Sequence, residues 1–219
     1  MTLGPSLELG DNWCGQRFPQ LERITVYGSA KFLAAKGLDE WRRIGAAGIT
    51  RVHSGLESGD PVTLAEIGKG VDPEGAARAF GHLLAAGIEL SVYLMVGVAG
   101  RARSREHAEG SARVLNLASP DFVRLRTFVP IPGTPWCERW QSGGLELLDA
   151  YQALAEVRRL VELIAGPTLL LSDHLSNFLD VRGRLPEDRA AMLAAIDEAL
   201  TWPRERFRPP TEELVGLAL

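Results

Sequence analysis

The sequence is poor in the features that would decide its function at once. Its 219 residues hold two cysteines, Cys14 and Cys137. Two thiols cannot build a disulfide framework or supply all four ligands of a structural zinc site, and their scarcity points to a reducing, cytoplasmic setting. Basic residues do not dominate: 24 Lys and Arg face 28 Asp and Glu, for a net charge of −4. A nucleic acid would therefore meet no overall positive field. No uninterrupted apolar run approaches the ~18 residues of a membrane span. Met1 to Gly10 lacks the basic start and apolar stretch of a secretory signal. The GxGxxG pattern is also missing, which counts against a dinucleotide fold. What is present is 46% hydrophobic residues, enough to bury a sizeable core in one compact domain or two small ones.

The organising feature is a repeated unit. Gly45-Ala46-Ala47-Gly48-Ile49 leads into Thr50-Arg51-Val52-His53-Ser54-Gly55, and Leu84-Ala85-Ala86-Gly87-Ile88 leads into Glu89 to Gly97. In each, a helical pattern stops at a Gly and a β-rich run follows. Gly is the expected left-handed stop because it has no Cβ to clash at positive φ. Helix, Gly stop, strand and Gly-containing loop in series predict stacked β/α units. Four strands are expected near residues 23–27, 50–55, 89–96 and 122–129, parallel and joined by crossovers. Helices are expected over Leu38–Ala46, Ser104–Leu117, Leu145–Ala165 and from Pro186 to Leu200, with a short extended piece at Leu169–Asp173. The fold class is thus α/β: an incomplete (β/α) barrel of about four parallel strands with helices on one side, plus C-terminal helices. The expected division is an irregular lead-in over 1–20, the β/α part over 21–140, a helical segment over 141–202 and a tail over 203–219.

Loops after such strands form the carboxyl end, where sites are built. Gly55-Leu56-Glu57-Ser58-Gly59 would put the Glu57 carboxylate in that mouth, able to accept from a ribose diol or a ligand ammonium, or simply solvated. Gly97-Val98-Ala99-Gly100 either admits a ligand close to the backbone or only turns the chain. Pro130-Ile131-Pro132-Gly133-Thr134-Pro135 is a stiff loop that walls a pocket or redirects the chain. Arg124 and Arg126 share one strand face, where they need a carboxylate such as Glu57, an anionic ligand, or water. Asp173-His174-Leu175-Ser176-Asn177 is polar, but its spacing supports neither a zinc site nor a Ser-His-Asp triad. His53, His82 and His107 are scattered and structural by default.

From about Phe18 to Leu200 these stretches, in their order and spacing, resemble the carboxyl-terminal two-thirds of a radical S-adenosylmethionine (SAM) protein of the Elp3/MiaB/NifB-like, coproporphyrinogen-oxidase-like group. The resemblance rests on Phe18-Pro19-Gln20-Leu21-Glu22-Arg23-Ile24, Gly55 to Gly59, Ala86 to Val92, Arg124 to Thr127, Pro132 to Pro135, and His174 to Leu179. It implies that the 21–140 segment is a partial radical-SAM-like barrel whose four strands match the family's third to sixth. In that family a Cys-x3-Cys-x2-Cys loop after the first strand holds a [4Fe–4S] cluster that chelates SAM, and reductive cleavage then yields a radical that abstracts hydrogen. This sequence has no such motif, so the resemblance implies a truncated member, inactive alone, to which neither SAM nor the cluster binds stably. By the same resemblance, Glu57 and Ser58 would meet SAM's ribose or methionyl part. Tyr93, Met95 and the Gly97 loop would lie near the adenine, and Arg126 would face the cofactor or substrate cavity. No catalytic or metal-binding residue is assigned. No nucleic-acid or membrane partner is expected. An open edge near Tyr27 predicts self- or hetero-association, so the alternative is a non-catalytic interaction module pairing through that edge. A third reading is an unrelated β/α enzyme using Glu57 and Arg126 on a phosphorylated or carboxylated substrate.

Overall fold

The computed structural model describes residues 17–207. Cys14, most of the lead-in and the tail beyond Phe207 lie outside the described residues. Strands β1 (Thr25–Tyr27), β2 (Arg51–Glu57), β3 (Glu89–Val96), β4 (Phe122–Thr127), β5 (Thr168–Leu171) and β6 (Arg182–Leu185) form one sheet in chain order. The first five are parallel and β6 runs antiparallel to β5. The sheet is open, with β1 and β6 at its edges.

Alternation along the strands decides which face is covered. In β2, Val52, Ser54 and Leu56 are buried while Arg51, His53, Gly55 and Glu57 are half-buried. In β3, Leu90, Val92, Leu94 and Val96 are buried, as are Val123 and Leu125 in β4 and Leu170 in β5. These residues share the helix-covered face, because side chains alternate across a strand. The covering layer is a row of neighbours: α1 (Ala30–Ala34), α4 (Pro73–Ala85), α5 (Ser104–Ala118), α7 (Ala150–Leu163) and α8 (Arg189–Ala199). Phe80, Leu83, Leu115, Leu160 and Ile196 carry their apolar stripes into the core. Each such side chain contributes about 2 kcal/mol by leaving water. The opposite, inner face carries no helix among the described residues.

Helix ends follow local chemistry. Gly48 (φ 103°) and Gly87 (φ 76°) stop α2 (Leu38–Ala46) and α4 in the left-handed region, as their sequence context predicts. Asp72 caps α4 by accepting from the Gly75 N–H at 2.5 Å, and Pro73 fills the first turn, where no donor is needed. Asp149 and Gln152 close a reciprocal capping box on α7.

The segment expected to be helical apart from one short extended piece, 141–202, contributes two strands, β5 and β6, to the same sheet. The Leu169–Asp173 piece is the core of β5. β6, Arg-Gly-Arg-Leu, has no apolar alternation to announce it, because an edge strand keeps one side in water. The Pro130–Pro135 loop also ends sooner than expected: Thr134 caps α6 (Pro135–Gln141), accepting from the Cys137 N–H at 3.3 Å.

Candidate functional site

A cavity of about 600 Å³ opens at the carboxyl ends of β2, β3 and β4. Glu57, Met95 and Arg126 come from the strand ends. Residues 66–69 follow α3 (Pro61–Glu66), residues 128–136 follow β4, and His174 and Ser176 follow β5. Most of the lining is apolar, through Met95, Val98, Phe128, Ile131 and Trp136.

Glu57 is set by backbone, not chance. The β2–β3 register slips between Gly55 and Glu57, and Glu57 sits at φ 66°, a conformation costly for a residue with a Cβ. Its side chain folds back over Gly55, where an added Cβ would lie 2.1 Å from Glu57 Oε1. Lys69 Nζ donates to that oxygen at 3.2 Å. The two side chains keep 22% and 17% of their exposure, so this is a partly buried ion pair and not a solvated loop carboxylate. Lys69 is delivered by a turn between Gly68 (φ 66°) and Gly70 (φ 70°).

Across the cavity, the exposed Arg126 guanidinium stands 5.1 Å over the Tyr93 ring. Burial, then the positive charge of Arg126, pushes the His174 imidazole below its ordinary range, so His174 is neutral near pH 7. Its Nδ1 accepts from the Ser176 N–H at 3.2 Å and lies 2.9 Å from Ser176 Oγ, which assigns the remaining proton to Nε2. Ser176 Oγ accepts from the Thr127 N–H at 3.1 Å, and Asn177 Nδ2 donates to Leu125 O at 2.8 Å. The polar run His174–Asn177 therefore works as a clamp that pins this loop to the end of β4. At the mouth, Trp136 Nε1 donates to Val98 O at 3.2 Å, Arg139 stacks 4.8 Å over Trp136, and Arg139 pairs with Glu66 at 2.9 Å.

Beneath the floor lies a second polar cluster with no access to solvent. Ser58, His107 and Glu156 are all buried. Ser58 Oγ sits 2.8 Å from His107 Nδ1 and accepts from the Asp60 N–H at 3.0 Å. Glu156 accepts from the Gly97 N–H at 2.8 Å and the Ser104 hydroxyl at 2.5 Å, with His107 Nε2 at 3.4 Å. Asp60 takes both arms of Arg103, at 2.9 and 2.8 Å. Burial alone would raise the Asp60 carboxyl. The Arg103 and Thr63 hydrogen bonds outweigh burial and lower the group to about 2. Gly59 and Gly110 meet backbone to backbone: a Cβ on Gly59 would lie 2.3 Å from Gly110 O. This cluster fixes the loops after β2 and β3 on α5 and α7.

Of the six residues singled out from sequence, Glu57, Met95 and Arg126 line the cavity together. Ser58 and Gly97 do not; both are turned into the buried cluster. Tyr93 lies on the inner face under Arg126, outside the lining. Sequence reasoning missed Lys69, Trp136 and Glu66. A lysine bracketed by two glycines was the available sign for the first.

Among the described residues no three of His, Cys, Asp and Glu come together as a metal site. Cys137 is 3% exposed in α6, away from the other cysteine in sequence. No helix of the described residues is long and apolar enough to cross a membrane.

The chain matches no protein-family model, and no curated protein is similar to it in sequence. Solved structures are similar. The archaeal Methanocaldococcus infernus Elp3 with an N-terminal deletion aligns with a TM-score of 0.58 and 18% identity, over 81% of this chain and 42% of that one. The chain thus spans under half the length of that protein. Methylornithine synthase PylB (TM-score 0.45, 17% identity, 80% and 45% coverage) and HydG, a maturase of the [FeFe]-hydrogenase (0.46, 12%, 66% and 31%), align less well. The Elp3 likeness shows the fold: an open, mostly parallel α/β sheet, the partial-barrel class that the sequence led us to expect.

Proposed function

We propose that the cavity binds an adenosyl ligand of the S-adenosylmethionine kind, and that this chain supplies the ligand-facing wall of a radical-SAM-like site. The observation that carries the reading is Glu57: a carboxylate held at a strained strand end, inside a largely apolar cavity, on this fold. A cavity of about 600 Å³ is in the range that encloses such a ligand. Glu57 accepts from the ribose diol, with Lys69 holding its carboxylate in place. Met95, Val98 and Trp136 give the adenine an apolar bed and keep water out. Joined to a reduced iron–sulfur cluster, such a ligand is a source of radical hydrogen abstraction.

The cluster itself does not fit this chain. Three thiolates are needed, and the 219 residues hold two cysteines, one of them buried in α6. Binding, without cleavage, is therefore the activity of these residues, in the cytoplasmic setting that so few cysteines suit.

Calorimetric titration of the full chain with S-adenosylmethionine, and separately with adenosine, tests the proposal. We expect saturable binding of both, weakened about tenfold in Glu57→Gln, the effect of losing one charge-assisted hydrogen bond. No saturable heat with either ligand, or an unaltered E57Q, overturns it.

A second reading is favoured by the edge β1, where Tyr27 is 80% exposed and Phe32 lies exposed nearby. Here a second copy of the chain adds its own strand to β1, and the protein is an interaction module. Light scattering on the eluting protein separates the readings: a concentration-dependent dimer supports this one, and persistent monomer removes it.

A further inference from the structure

On the inner face, beside the cavity, two positive charges have no carboxylate to answer them among the described residues. Arg124 and Arg126 are two apart on β4, so both point away from the helices, opposite Tyr93 and Met95 of β3. Neither guanidinium makes a hydrogen bond or ion pair among the described residues, and Arg124 Nε is buried without a partner. Two more orphans lie on the same face one register step away: His53 Nδ1 and Ser91 Oγ, on paired positions of β2 and β3. The bordering carboxylates are already taken. Glu89 is held by Arg51 through two hydrogen bonds of 2.8 Å, Glu57 by Lys69, and Glu66 by Arg139. Asp173, next to His174, is exposed and pairs with neither arginine.

A fold keeps buried or half-buried polar groups unpaired at a cost, and three of them beside the exposed Arg126 on one face of a site point to an occupant that the described residues do not supply. The occupant must accept hydrogen bonds and carry negative charge. We propose that Arg124 and Arg126 form an anion subsite that takes the phosphate or carboxylate group of an acidic substrate, next to the adenosyl cavity. The substrate class rests on the reading of that cavity given above; the anion subsite itself does not need it. Arg126, at the cavity edge, orients the group toward the ligand. Arg124, about 6.6 Å deeper along the strand by the pleat repeat, holds it from below. Tyr93, paired with Arg124 across the strands, offers its ring as the platform under Arg126.

The test uses the full chain at low ionic strength, with inorganic phosphate and succinate as probes and adenosine as the neutral ligand. We expect at least one anion to bind saturably, and to bind at least tenfold more weakly in Arg124→Gln and in Arg126→Gln. Arg113→Gln, an exposed arginine on α5, should leave that binding unchanged. The stronger of the two probes identifies the group as phosphate or carboxylate. Failure of both anions to saturate, or equal weakening by R113Q, overturns the subsite. A collapse of the melting transition in R124Q or R126Q also overturns it, because it would reveal a structural partner for the arginine. Adenosine binding without anion binding removes this inference and leaves the cavity reading intact. Anion binding without adenosine binding removes the cavity reading and leaves the arginine subsite standing.

Discussion

Two polar groupings lie within reach of the same strand ends, and they are built on opposite terms. Below the floor, Ser58, His107 and Glu156 are sealed from water with half-buried Ser104 at their edge, and they answer one another except at His107 Nε2, which has no hydrogen-bond partner among the described residues. On the inner face, Arg124, His53 and Ser91 are no less polar and are left partly unanswered. The first grouping has the residue types of a catalytic triad and none of the access, so it serves to hold loops. The second lacks any familiar arrangement but has the access. Residue type alone would rank them the wrong way round; accessibility and satisfaction rank them correctly.

That contrast predicts a graded set of responses. The largest is expected below the floor. Glu156→Leu leaves the Gly97 N–H without its acceptor and removes the carboxylate 3.4 Å from His107 Nε2 in a buried site, at a cost of about 3 kcal/mol. Thermal melts should fall by roughly 10 °C, at 2–4 °C per kcal/mol for a chain of this size. A melt unchanged by this substitution would dissolve the distinction between the two groupings.

Next comes Gly110→Ala, whose Cβ would lie 2.5 Å from Gly59 O, a backbone atom that cannot swing aside. The expected loss is about 2 kcal/mol in urea unfolding. An effect of the same size, but confined to acid pH, belongs to Asp60. Its folded-state value, about 2, lies below its unfolded value, so the stabilisation is complete above pH 4 and disappears as pH falls toward 2. It amounts to roughly 2 kcal/mol. Asp60→Asn should flatten that part of the stability profile, and an unchanged acid limb would show that Arg103 is not its partner. The smallest effect is expected on the inner face. Arg124→Leu should change stability by less than about 0.5 kcal/mol, because no contact of the fold is lost. A loss several times larger would place Arg124 with the structural grouping.

The legible part of this fold was the part whose physics is local. The Gly48 and Gly87 stops depend on one residue's backbone freedom, and the β2 and β3 alternation depends on a single face. Both are written in consecutive residues. β6 escaped because an edge strand of Arg-Gly-Arg-Leu is defined only by its pairing with β5. In the site, Glu57 could be placed from its position after a strand, but its partner Lys69 lies 12 residues on, past a helix whose turn geometry brings it back. Ser58 and Gly97 were expected as ligand contacts only through the family resemblance. Their own polar atoms turn inward, toward Glu156 and His107 on helices that no local pattern links to them.

The contact between Arg139 and Glu66 spans the rim from α6 to α3, and both side chains are about one-third exposed. Dissolved salt weakens such a pair far more than the Glu57–Lys69 pair deeper in. Rising ionic strength should therefore loosen the join between α6 and α3 at the rim while the deeper carboxylate stays held, so that, on the reading proposed above, electrolyte would touch a nucleoside's rates of exchange more than its affinity.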